Sequence, residues 1–230
     1  MRIKHEKVLI VFTTLVIRPY NEQDQRGIIS IYKSAFAEPP WNEFKKCSAC
    51  GINYGREEVA RRPDTCKNCQ SPFTLGKLVL EEFWTAKEIT NDLENALSAE
   101  CPIVLVAESE GLLVGFTWGY LLPFDKFPFL NGLTNKRSNY MDEIAVRGDT
   151  RIRGIGTALG KEYLRQVQEQ GMIDAVLRTD CRNTASVTLF EKIGYSRMRV
   201  GCGLLGSEHG TSRVLSDPEY PYRIYFKRRM

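Results

Sequence analysis

The chain has 230 residues, a length that fits one large domain or one domain with an insertion. Its 32 basic and 28 acidic side chains give a formal charge of +4, which argues against a dedicated basic nucleic-acid domain but leaves room for a local anion site. A hydrophobic content of 43% and a charged content of 26% exclude a disordered chain, a collagen and a multispan membrane protein.

The N-terminal segment contains an apolar run over residues 8–17 that follows several basic residues. This order resembles a signal peptide, but Thr13 and Thr14 interrupt the run and no small-residue cleavage site follows it. The run is rich in Val, Ile and Phe and is too short to span a bilayer, so we interpret it as a core strand. This interpretation predicts a cytoplasmic protein without a membrane partner, and an exported or anchored protein is the alternative.

Two helices are predicted in the first hundred residues. Apolar residues at mainly helical spacing predict a helix over residues 21–36, which must end before Pro39 and Pro40. Thr85 and Glu88 have the spacing of a capping box and predict the start of a second helix. Its apolar stripe comprises Ile89, Leu93 and Leu97.

The remaining chain predicts a sheet with intervening helices. Strands are predicted over residues 103–107, 112–121, 140–146, 175–179, 195–204 and 222–226. Helices are predicted from a glycine-rich turn to about residue 171, and over residues 183–193. This order predicts the mixed α/β class with a partly antiparallel sheet.

A long loop over residues 123–138 contains three phenylalanines, Phe124, Phe127 and Phe129. Loops of this length inside compact domains are often functional. The three rings either line a substrate pocket or form a local apolar cluster, and the sequence leaves both interpretations open.

The most informative segment is the glycine-rich turn at Gly154 and Gly156, which follows a predicted strand and opens a helix. Glycines let backbone N–H groups approach an anion, and a helix N-terminus favours a phosphate there. Arg147, Arg151 and Arg153 add positive charge around the turn. The spacing of the glycines fits neither a Walker loop nor the dinucleotide-binding fingerprint.

This turn carries a family resemblance. Arg151-x-x-Gly154-x-Gly156 after an acidic and apolar strand resembles the signature of the GCN5-related N-acetyltransferases (GNAT superfamily). The segment from Asn183 to Tyr195 resembles the closing helix of that family, and Ile17-Arg18-Pro19-Tyr20 with Asp24 resembles its opening strand and helix. The resemblance implies an α/β fold of the α+β type, with a mixed, mostly antiparallel sheet flanked by helices. It also implies a single N-acetyltransferase domain over residues 1–230.

The resemblance further implies the substrates and the residues that bind them. The partners would be acetyl-CoA, as cosubstrate, and an amine acceptor that is either a small molecule or a peptide or protein; nucleic acid is disfavoured, and a homodimer is compatible with the family. The implied cofactor-binding residues are Ile144, Ala145, Val146, Arg151, Arg153, Gly154, Ile155, Gly156, Thr157 and Asn183. The expected reaction is acetyl transfer from acetyl-CoA to a primary amine by direct attack in a ternary complex.

Acetyl transfer to an amine requires a base, because an alkylamine is almost fully protonated at neutral pH. By resemblance, Glu143 is the first candidate for this base and Asp142 is the second. Strand alternation would place the two side chains on opposite faces, so only one is expected to serve. The alternative is that both are ordinary carboxylates at a strand end. Backbone N–H groups of residues 144–146 are expected to stabilise the developing oxyanion.

One position departs from the family pattern. The family often has tyrosine where this chain has Phe190, which cannot donate a proton to the departing thiolate. Cys181 suggests a covalent route, but the two histidines, His5 and His209, are distant in sequence, so a Cys–His pair is poorly supported. An alternative function is therefore a zinc-bearing binding module on a catalytically idle acyl-CoA-binding scaffold.

Four of the seven cysteines form two C-x-x-C pairs separated by 15 residues. The predicted ligands of a structural Zn²⁺ are Cys47, Cys50, Cys66 and Cys69. The surrounding segment is too polar to form a core of its own, so we predict a zinc-ribbon-like insertion over residues 43–76. Disulfides are the main alternative. The basic residues of the insertion either face RNA or an acidic partner, or form a solvated surface, which we favour.

Overall fold

The computed structural model describes residues 14–73, 80–150, 152–201 and 212–230. The α-helices in these ranges are α1 (Gln25–Phe36), α2 (Arg56–Ala60), α3 (Ala86–Ser98), α4 (Ile155–Glu169) and α5 (Thr184–Lys192). Short 3-10 helices span Glu22–Asp24 and Pro128–Leu130. The strands are β1 (Leu15–Pro19), β2 (Lys45–Cys47), β3 (Asn53–Tyr54), β4 (Leu80–Glu82), β5 (Ile103–Ser109), β6 (Leu112–Leu121), β7 (Ser138–Val146), β8 (Asp174–Asp180), β9 (Ser196–Arg197), β10 (Arg199–Gly201), β11 (Ser212–Val214) and β12 (Arg223–Arg229).

The main sheet has seven strands in the order β1-β5-β6-β7-β8-β12-β9. Only β7 and β8 run parallel; every other neighbouring pair is antiparallel. A parallel pair needs a long crossover, and α4 supplies it between β7 and β8. The predicted mixed, mostly antiparallel α/β sheet flanked by helices is therefore confirmed.

Helices cover both faces of this sheet because each carries one apolar stripe. On one face, α1 and α3 bury Ile28, Ile31 and Ile89 against the central strands. On the other face, α4 and α5 bury a second set that includes Leu159 and Phe190. The two layers bracket the central strands β5 to β8, which carry the candidate site.

The predicted helix starts and strands are mostly confirmed. Thr85 caps α3, its hydroxyl accepting from the Glu88 N–H at 3.2 Å while the Glu88 carboxylate accepts from the Thr85 N–H at 2.7 Å. The predicted stripe of α3 is wrong at Leu97, which is 39% exposed, because Ala96 takes the inward position in the last turn. The strand expected over residues 195–204 is divided into the short strands β9 and β10 before it reaches residues outside the described ranges.

The N-terminal strand begins at Leu15, and the earlier part of the predicted run lies outside the described residues. It pairs with β5 from Leu15 opposite Ser109 to Pro19 opposite Leu105. Within the described ranges, no helix has both the length and the apolar content that a bilayer crossing requires.

The phenylalanine-rich loop is a structural feature, so the second of its two interpretations is confirmed. Phe127 packs on Tyr140 at 4.9 Å between ring centroids, and Phe129 packs on Tyr225 at 5.3 Å. Leu130 at the centre of the loop is fully buried. The loop therefore closes one end of the sheet with an apolar cluster.

Candidate active site

A gap between β7 and β8 forms the centre of the site. The two strands pair only from Ser138 opposite Asp174 to Met141 opposite Leu177, although both continue beyond that point. The Arg147 N–H donates to the Val114 carbonyl of β6 at 2.9 Å, so alternation directs the N–H groups of Ile144 and Val146 away from β6 and into the gap. The gap thus exposes two backbone donors in the middle of a sheet.

A β-bulge in the β6–β7 pair changes which side chains face this gap. Gly119 lies opposite Met141 and Trp118 lies opposite Glu143, which leaves Asp142 as the extra residue. A Cβ atom at Gly119 would overlap the Tyr140 carbonyl oxygen and the Tyr163 hydroxyl, so the bulge requires glycine there.

The bulge makes the predicted separation of Asp142 and Glu143 wrong. Strand alternation placed the two carboxylates on opposite faces, but both line the same cavity. The extra residue in the bulge breaks the two-residue period between them. The site therefore contains an adjacent carboxylate pair instead of a single acid.

The cavity at the gap has a volume of about 460 Å³. One end is formed by β7 together with α5, including Val146, Asn183 and Leu189. The other end is formed by α1, by the segment that follows it and by Trp84. The carboxylate pair lies on β7 between these two ends.

Burial governs the ionisation of the pair. Burial raises the pKa of Glu143 well above its usual range, and repulsion from Asp142 and from Glu43 raises it further. Burial also raises the pKa of Asp142, although the Tyr120 hydroxyl, which donates to Asp142 Oδ2 at 3.0 Å, opposes this shift. The Tyr32 hydroxyl lies 3.5 Å from Glu143 Oε1 as a donor. A carboxylate with a raised pKa is suited to accept a proton near neutral pH.

A third acid, Glu43, lines the cavity opposite this pair. Trp84 donates its indole N–H to Glu43 Oε2 at 2.7 Å. Burial raises the pKa of Glu43, and the indole hydrogen bond and the charge of Arg223 act against this shift.

Arg178 of β8 places a cation beside the pair but is held by other groups. Its guanidinium donates to Asp217 Oδ2 at 3.2 Å and lies over the Phe127 ring at 5.2 Å. The Tyr225 hydroxyl donates to the same carboxylate at 2.9 Å. Arg178 still lowers the pKa of both Asp142 and Glu143 through its field, against the larger effect of burial.

The glycine-rich turn lies beside the cavity and has the geometry of an anion site. Gly154 has φ +86° and precedes the first residue of α4, and apart from its chain neighbours no atom of the described residues lies within 4 Å of a Cβ placed on it. The first helical hydrogen bond runs from the Ala158 N–H to the Gly154 carbonyl at 2.9 Å. The N–H groups of Ile155, Gly156 and Thr157 therefore have no partner inside the helix and are available to an anion.

The arginines around this turn differ in their partners. Arg147 donates to Asp149 at 2.8 and 2.9 Å, so its charge is largely neutralised within the turn. Arg153 is exposed, and Arg151 lies outside the described residues. Among the described residues, Arg153 and the helix N-terminus therefore supply positive charge to an anion at this turn.

Helix α5 forms the wall facing the turn. Asn183 caps it, with Oδ1 accepting from the Ser186 N–H at 3.1 Å, so its amide nitrogen is available as a donor to a ligand. Leu189 of the cavity wall would lie 3.2 Å from a Cβ at Gly156, which shows how closely α5 approaches the turn. Phe190 is buried against Tyr195 and Phe226 and contributes no proton donor.

The four predicted metal ligands lie together. All four sulfur atoms are within 4.8 Å of one another. Cys47 and Cys69 are 3.9 Å apart at sulfur and Cys50 and Cys66 are 3.7 Å apart, whereas disulfide sulfurs are bonded at about 2.05 Å. Four sulfurs around a tetrahedral zinc, at about 2.3 Å each, are separated by about 3.8 Å. The donor set therefore fits a structural zinc ion.

The two C-x-x-C turns share one hydrogen-bond pattern. The Cys47 N–H donates to the Ile52 carbonyl at 3.0 Å, and the Gly51 N–H donates to the Cys47 carbonyl at 2.8 Å. The second turn repeats both bonds from Cys66 and Gln70, at 2.8 and 3.0 Å. Gly51 and Gln70 both have positive φ, 71° and 58°. The same backbone turn thus presents each cysteine pair.

A small sheet connects this cluster to the cavity. It has the strand order β3-β2-β4, and Lys45 lies opposite Glu82 at the end of the β2–β4 pair that is farther from Cys47. The Phe83 N–H donates to the Phe44 carbonyl at 3.4 Å. Glu43 immediately precedes Phe44 and Trp84 immediately follows Phe83, so these two residues are the next pair beyond the sheet. The sheet that begins at the cysteine cluster therefore ends at the Glu43–Trp84 hydrogen bond.

Three cavity residues were not predicted as site residues from the sequence. Glu43, Trp84 and Arg178 belong to no motif and follow no periodicity. The one available signal was the concentration of aromatic and acidic residues immediately before and after the cysteine segment, at Trp41, Glu43 and Trp84.

The comparisons with known proteins agree with this geometry. The sequence profile of a family described as "Acetyltransferase (GNAT) family" matches residues 69–195. A mycothiol acetyltransferase of Streptomyces coelicolor is 30% identical over 90 residues, which are 39% of this chain and 26% of that protein. A probable N-acetyltransferase family 8 member 5 of Mus musculus is 32% identical over 92 residues, 40% of this chain and 37% of that protein. The chain thus covers well under half of these relatives' length.

Solved structures share the fold at low sequence identity. The PaiA N-acetyltransferase of Thermoplasma acidophilum in complex with coenzyme A has a TM-score of 0.56 and 12% identity, covering 94% of this chain and 99% of that one. YncA, an acetyltransferase of Salmonella typhimurium with acetyl-CoA, has a TM-score of 0.53 and 14% identity, covering 94% and 93%. The profile match spans more than half of the residues and includes the split strands, the glycine turn and α5, so the chain belongs to the GNAT family of acetyltransferases.

Proposed function

We propose that this chain transfers an acetyl group from acetyl-CoA to a primary amine by direct attack in a ternary complex. The observation that carries the proposal is the gap between β7 and β8, where two inward-facing N–H groups and an acid pair line one cavity and the N-terminus of α4 lies close to the cavity residue Leu189. The acetyl donor would enter along α5 and the amine from the opposite end. The two substrates would meet at the middle of β7.

Glu143 is proposed as the base. The amine reacts in its neutral form, after its ammonium proton has passed to solvent. Its nitrogen attacks the thioester carbonyl carbon, and the Glu143 carboxylate accepts the second proton, which the nitrogen releases as the C–N bond forms. The C–S bond then breaks, and coenzyme A leaves as its thiolate and takes a proton. Asp142 is proposed to keep the pKa of Glu143 high through repulsion, so that the pair acts as one coupled acid–base unit.

The cosubstrate is proposed to be held by the chain's backbone donors. The N–H groups of Ile144 and Val146 would stabilise the carbonyl oxygen as its charge develops, whereas alternation turns the Ala145 N–H toward β6. The pyrophosphate would bind at Gly154 and the first turn of α4, with Arg151 and Arg153 as its cations. The Asn183 amide nitrogen would contact the pantetheine arm.

Thiolate departure would not require a tyrosine at position 190. Phe190 is buried and has no acidic proton, so the thiolate would leave with a proton from water. This assignment predicts that coenzyme A release depends little on any single side chain of α5.

We further propose that Cys47, Cys50, Cys66 and Cys69 hold one structural Zn²⁺ in an insertion, over residues 43–76, within a single acetyltransferase domain. Among the described residues, the fully buried core beneath the cluster consists of Tyr54 and two of the cysteines, with four partly buried hydrophobic residues packed against it. So small a core stabilises little by burial, and the metal would supply the remaining stability. Four thiolates leave no open position, so zinc would take no part in the reaction.

The proposal is tested by titration calorimetry with acetyl-CoA, followed by mass spectrometry of products from a panel of amines. We expect acetyl-CoA to bind and Glu143→Gln to lower kcat by about 10²- to 10⁴-fold, because a positioned base contributes about that much. Glu110→Gln, in the exposed β5–β6 turn, is the matched control and should leave kcat unchanged.

Two results would count against the proposal. Absence of acetyl-CoA binding at millimolar concentration would overturn it. Binding without acetylation of any amine would favour the catalytically idle scaffold instead.

A further inference from the structure

We infer that the acceptor is a small aliphatic diamine or polyamine, whose second ammonium group binds at Glu43 while the first amine is acetylated beside Glu143. This inference deepens the proposed function and rests on it. It follows from the charges, the rings and the shape at the acceptor end of the cavity.

The acceptor end contains more negative charge than the protein neutralises. Glu43, Asp142 and Glu143 all line the cavity, and their hydrogen bonds among the described residues come from neutral groups on Trp84, Tyr120 and Tyr32. No Lys or Arg of the described ranges forms an ion pair with any of the three. Ionised carboxylates withdrawn from water without a cationic partner are costly, and their raised pKa values express this cost, so a bound cation would stabilise their ionised forms.

The cations near the cavity do not remove this excess. Arg178 is paired with Asp217, and Glu38 at the rim is paired with Arg56 at 3.1 Å. Arg223, whose field reaches Glu43, stacks on the Tyr220 ring at 4.4 Å. Lys126 lowers the pKa of Asp142 only as the smallest of several effects. Among the described residues, these three carboxylates therefore have one nearby guanidinium without an ion pair, that of Arg223.

The same end of the cavity is lined by aromatic rings. Tyr32 contacts Phe36 at 4.4 Å and Trp84 at 5.6 Å between centroids, and Phe36 contacts Trp41 at 5.9 Å. Faces of such rings attract ammonium groups and also pack against methylene chains. An acid surrounded by rings is thus suited to an alkylammonium more than to a hydrated metal ion or a sugar.

A single amine would not satisfy this arrangement. The amine that is acetylated must lose its proton and then its basicity, so it cannot remain the cation that neutralises the acids. A second ammonium group can remain charged throughout the reaction. Glu43 is the acid best placed to bind it, because Glu43 lines the cavity from the segment after α1 instead of from β7 and is oriented by Trp84.

The test compares three acceptors of equal chain length: 1,4-diaminobutane, 1-aminobutane and 4-aminobutanoate. Each is assayed at saturating acetyl-CoA, with the acetylated product quantified by mass spectrometry. A charge-assisted contact of this kind is worth about 10- to 100-fold. We expect kcat/KM for 1,4-diaminobutane to exceed that for 1-aminobutane by this factor, and 4-aminobutanoate to be the poorest acceptor.

Two single variants test whether the second ammonium group binds at Glu43. Glu43→Gln should reduce the preference for the diamine over the monoamine by about tenfold or more. Glu81→Gln removes the same charge from the exposed surface of β4 and should leave the preference unchanged. Titration of both variants with acetyl-CoA checks that the donor end of the cavity is intact.

The outcomes separate this inference from the proposed function. Equal kcat/KM for diamine and monoamine, or no acetylation of the diamine by a protein that binds acetyl-CoA, would refute the inference alone. A preference that survives Glu43→Gln would also refute it. Failure to bind acetyl-CoA would remove the proposed function and, with it, the inference.

Discussion

The burial of Glu143 lowers the stability of the folded protein but suits the residue to act as a base. Its carboxyl group is withdrawn from solvent beside Asp142 and Glu43, which disfavours its ionised form. The same surroundings bring its pKa toward the pH at which a base works best. Catalytic sites often contain residues whose surroundings lower the stability of the folded state.

This conflict predicts a pH-dependent stability effect of Glu143→Gln. The pKa of Glu143 is higher in the folded chain than in the unfolded chain. The contribution of Glu143 to the free energy of unfolding is therefore fully present below the unfolded-state pKa and is lost as the pH rises through the folded-state pKa. Glutamine does not ionise and avoids this loss. We expect the variant to raise Tm at pH 8 by at least about 2 °C, with a smaller gain at pH 5. Thermal unfolding followed by circular dichroism measures both, and a gain independent of pH would contradict the assignment.

Asp142 provides a second test at the residue scale. Asp142→Asn removes the neighbouring charge that raises the pKa of Glu143. The acidic limb of the kcat/KM–pH profile should therefore shift to lower pH, whereas loss of a base would lower the rate at every pH. An unshifted limb with a uniformly lower rate would make Asp142 the base.

At the scale of elements, the turn before α4 combines a left-handed backbone conformation with N–H groups that have no partner inside the helix. Gly154 adopts φ +86°, a region that other residues enter only with strain, and its open surroundings leave room for a ligand instead of a side chain. The turn is followed directly by helical N–H groups without internal partners. One short segment thus supplies both the bend and the donors.

Gly154→Glu should abolish this anion site while sparing the fold. The new carboxylate would occupy the open space and repel the pyrophosphate, so we expect the Kd for acetyl-CoA to rise by about 100-fold or more. Gly111→Glu is the matched control, because Gly111 has φ +76° in equally open surroundings at the β5–β6 turn. Calorimetry should separate the two variants, and equal losses of affinity would mean that backbone strain alone is responsible.

At the scale of the whole molecule, the small sheet joins the cysteine cluster to the cavity. The small sheet runs from the cluster to Lys45 opposite Glu82, and the next residues on its two strands carry the Glu43–Trp84 hydrogen bond. Two residues of the proposed acceptor end, Glu43 and Trp84, are therefore attached to the small sheet, whereas β7 and α5 at the other end of the cavity are not. Cytoplasmic localisation and a homodimer belong to this scale as well and stay predictions.

Metal removal should accordingly affect the two substrates differently. Chelation, or Cys66→Ser, should release the insertion and raise KM for the amine by about tenfold, while the Kd for acetyl-CoA changes by less than about twofold. Cys181→Ser, at an exposed cysteine beyond the cluster, is the control. Elemental analysis should give one zinc per chain, and a protein that contains none would refute the metal assignment.

Spacing along the chain was sufficient to predict several features correctly. The order of strands and helices, the capping box at Thr85 and the clustering of the four cysteines all follow from local patterns that need no knowledge of distant contacts. The glycines at positions 154 and 156 likewise indicate their turn, because the conformation they permit is local. Leu97 shows the limit of such reasoning, since which residue of the last turn faces inward depends on the sheet beneath it.

By itself, therefore, the sequence determined the fold class, the family resemblance and the two C-x-x-C turns, all of which depend on short-range geometry. Only the tertiary structure decided which side chains share the cavity. A bulge at Gly119 turned Asp142 toward Glu143, and strand pairing in a separate small sheet brought Glu43 to Trp84 across 41 residues. Both outcomes arise from pairing between distant segments, whose register no local pattern contains.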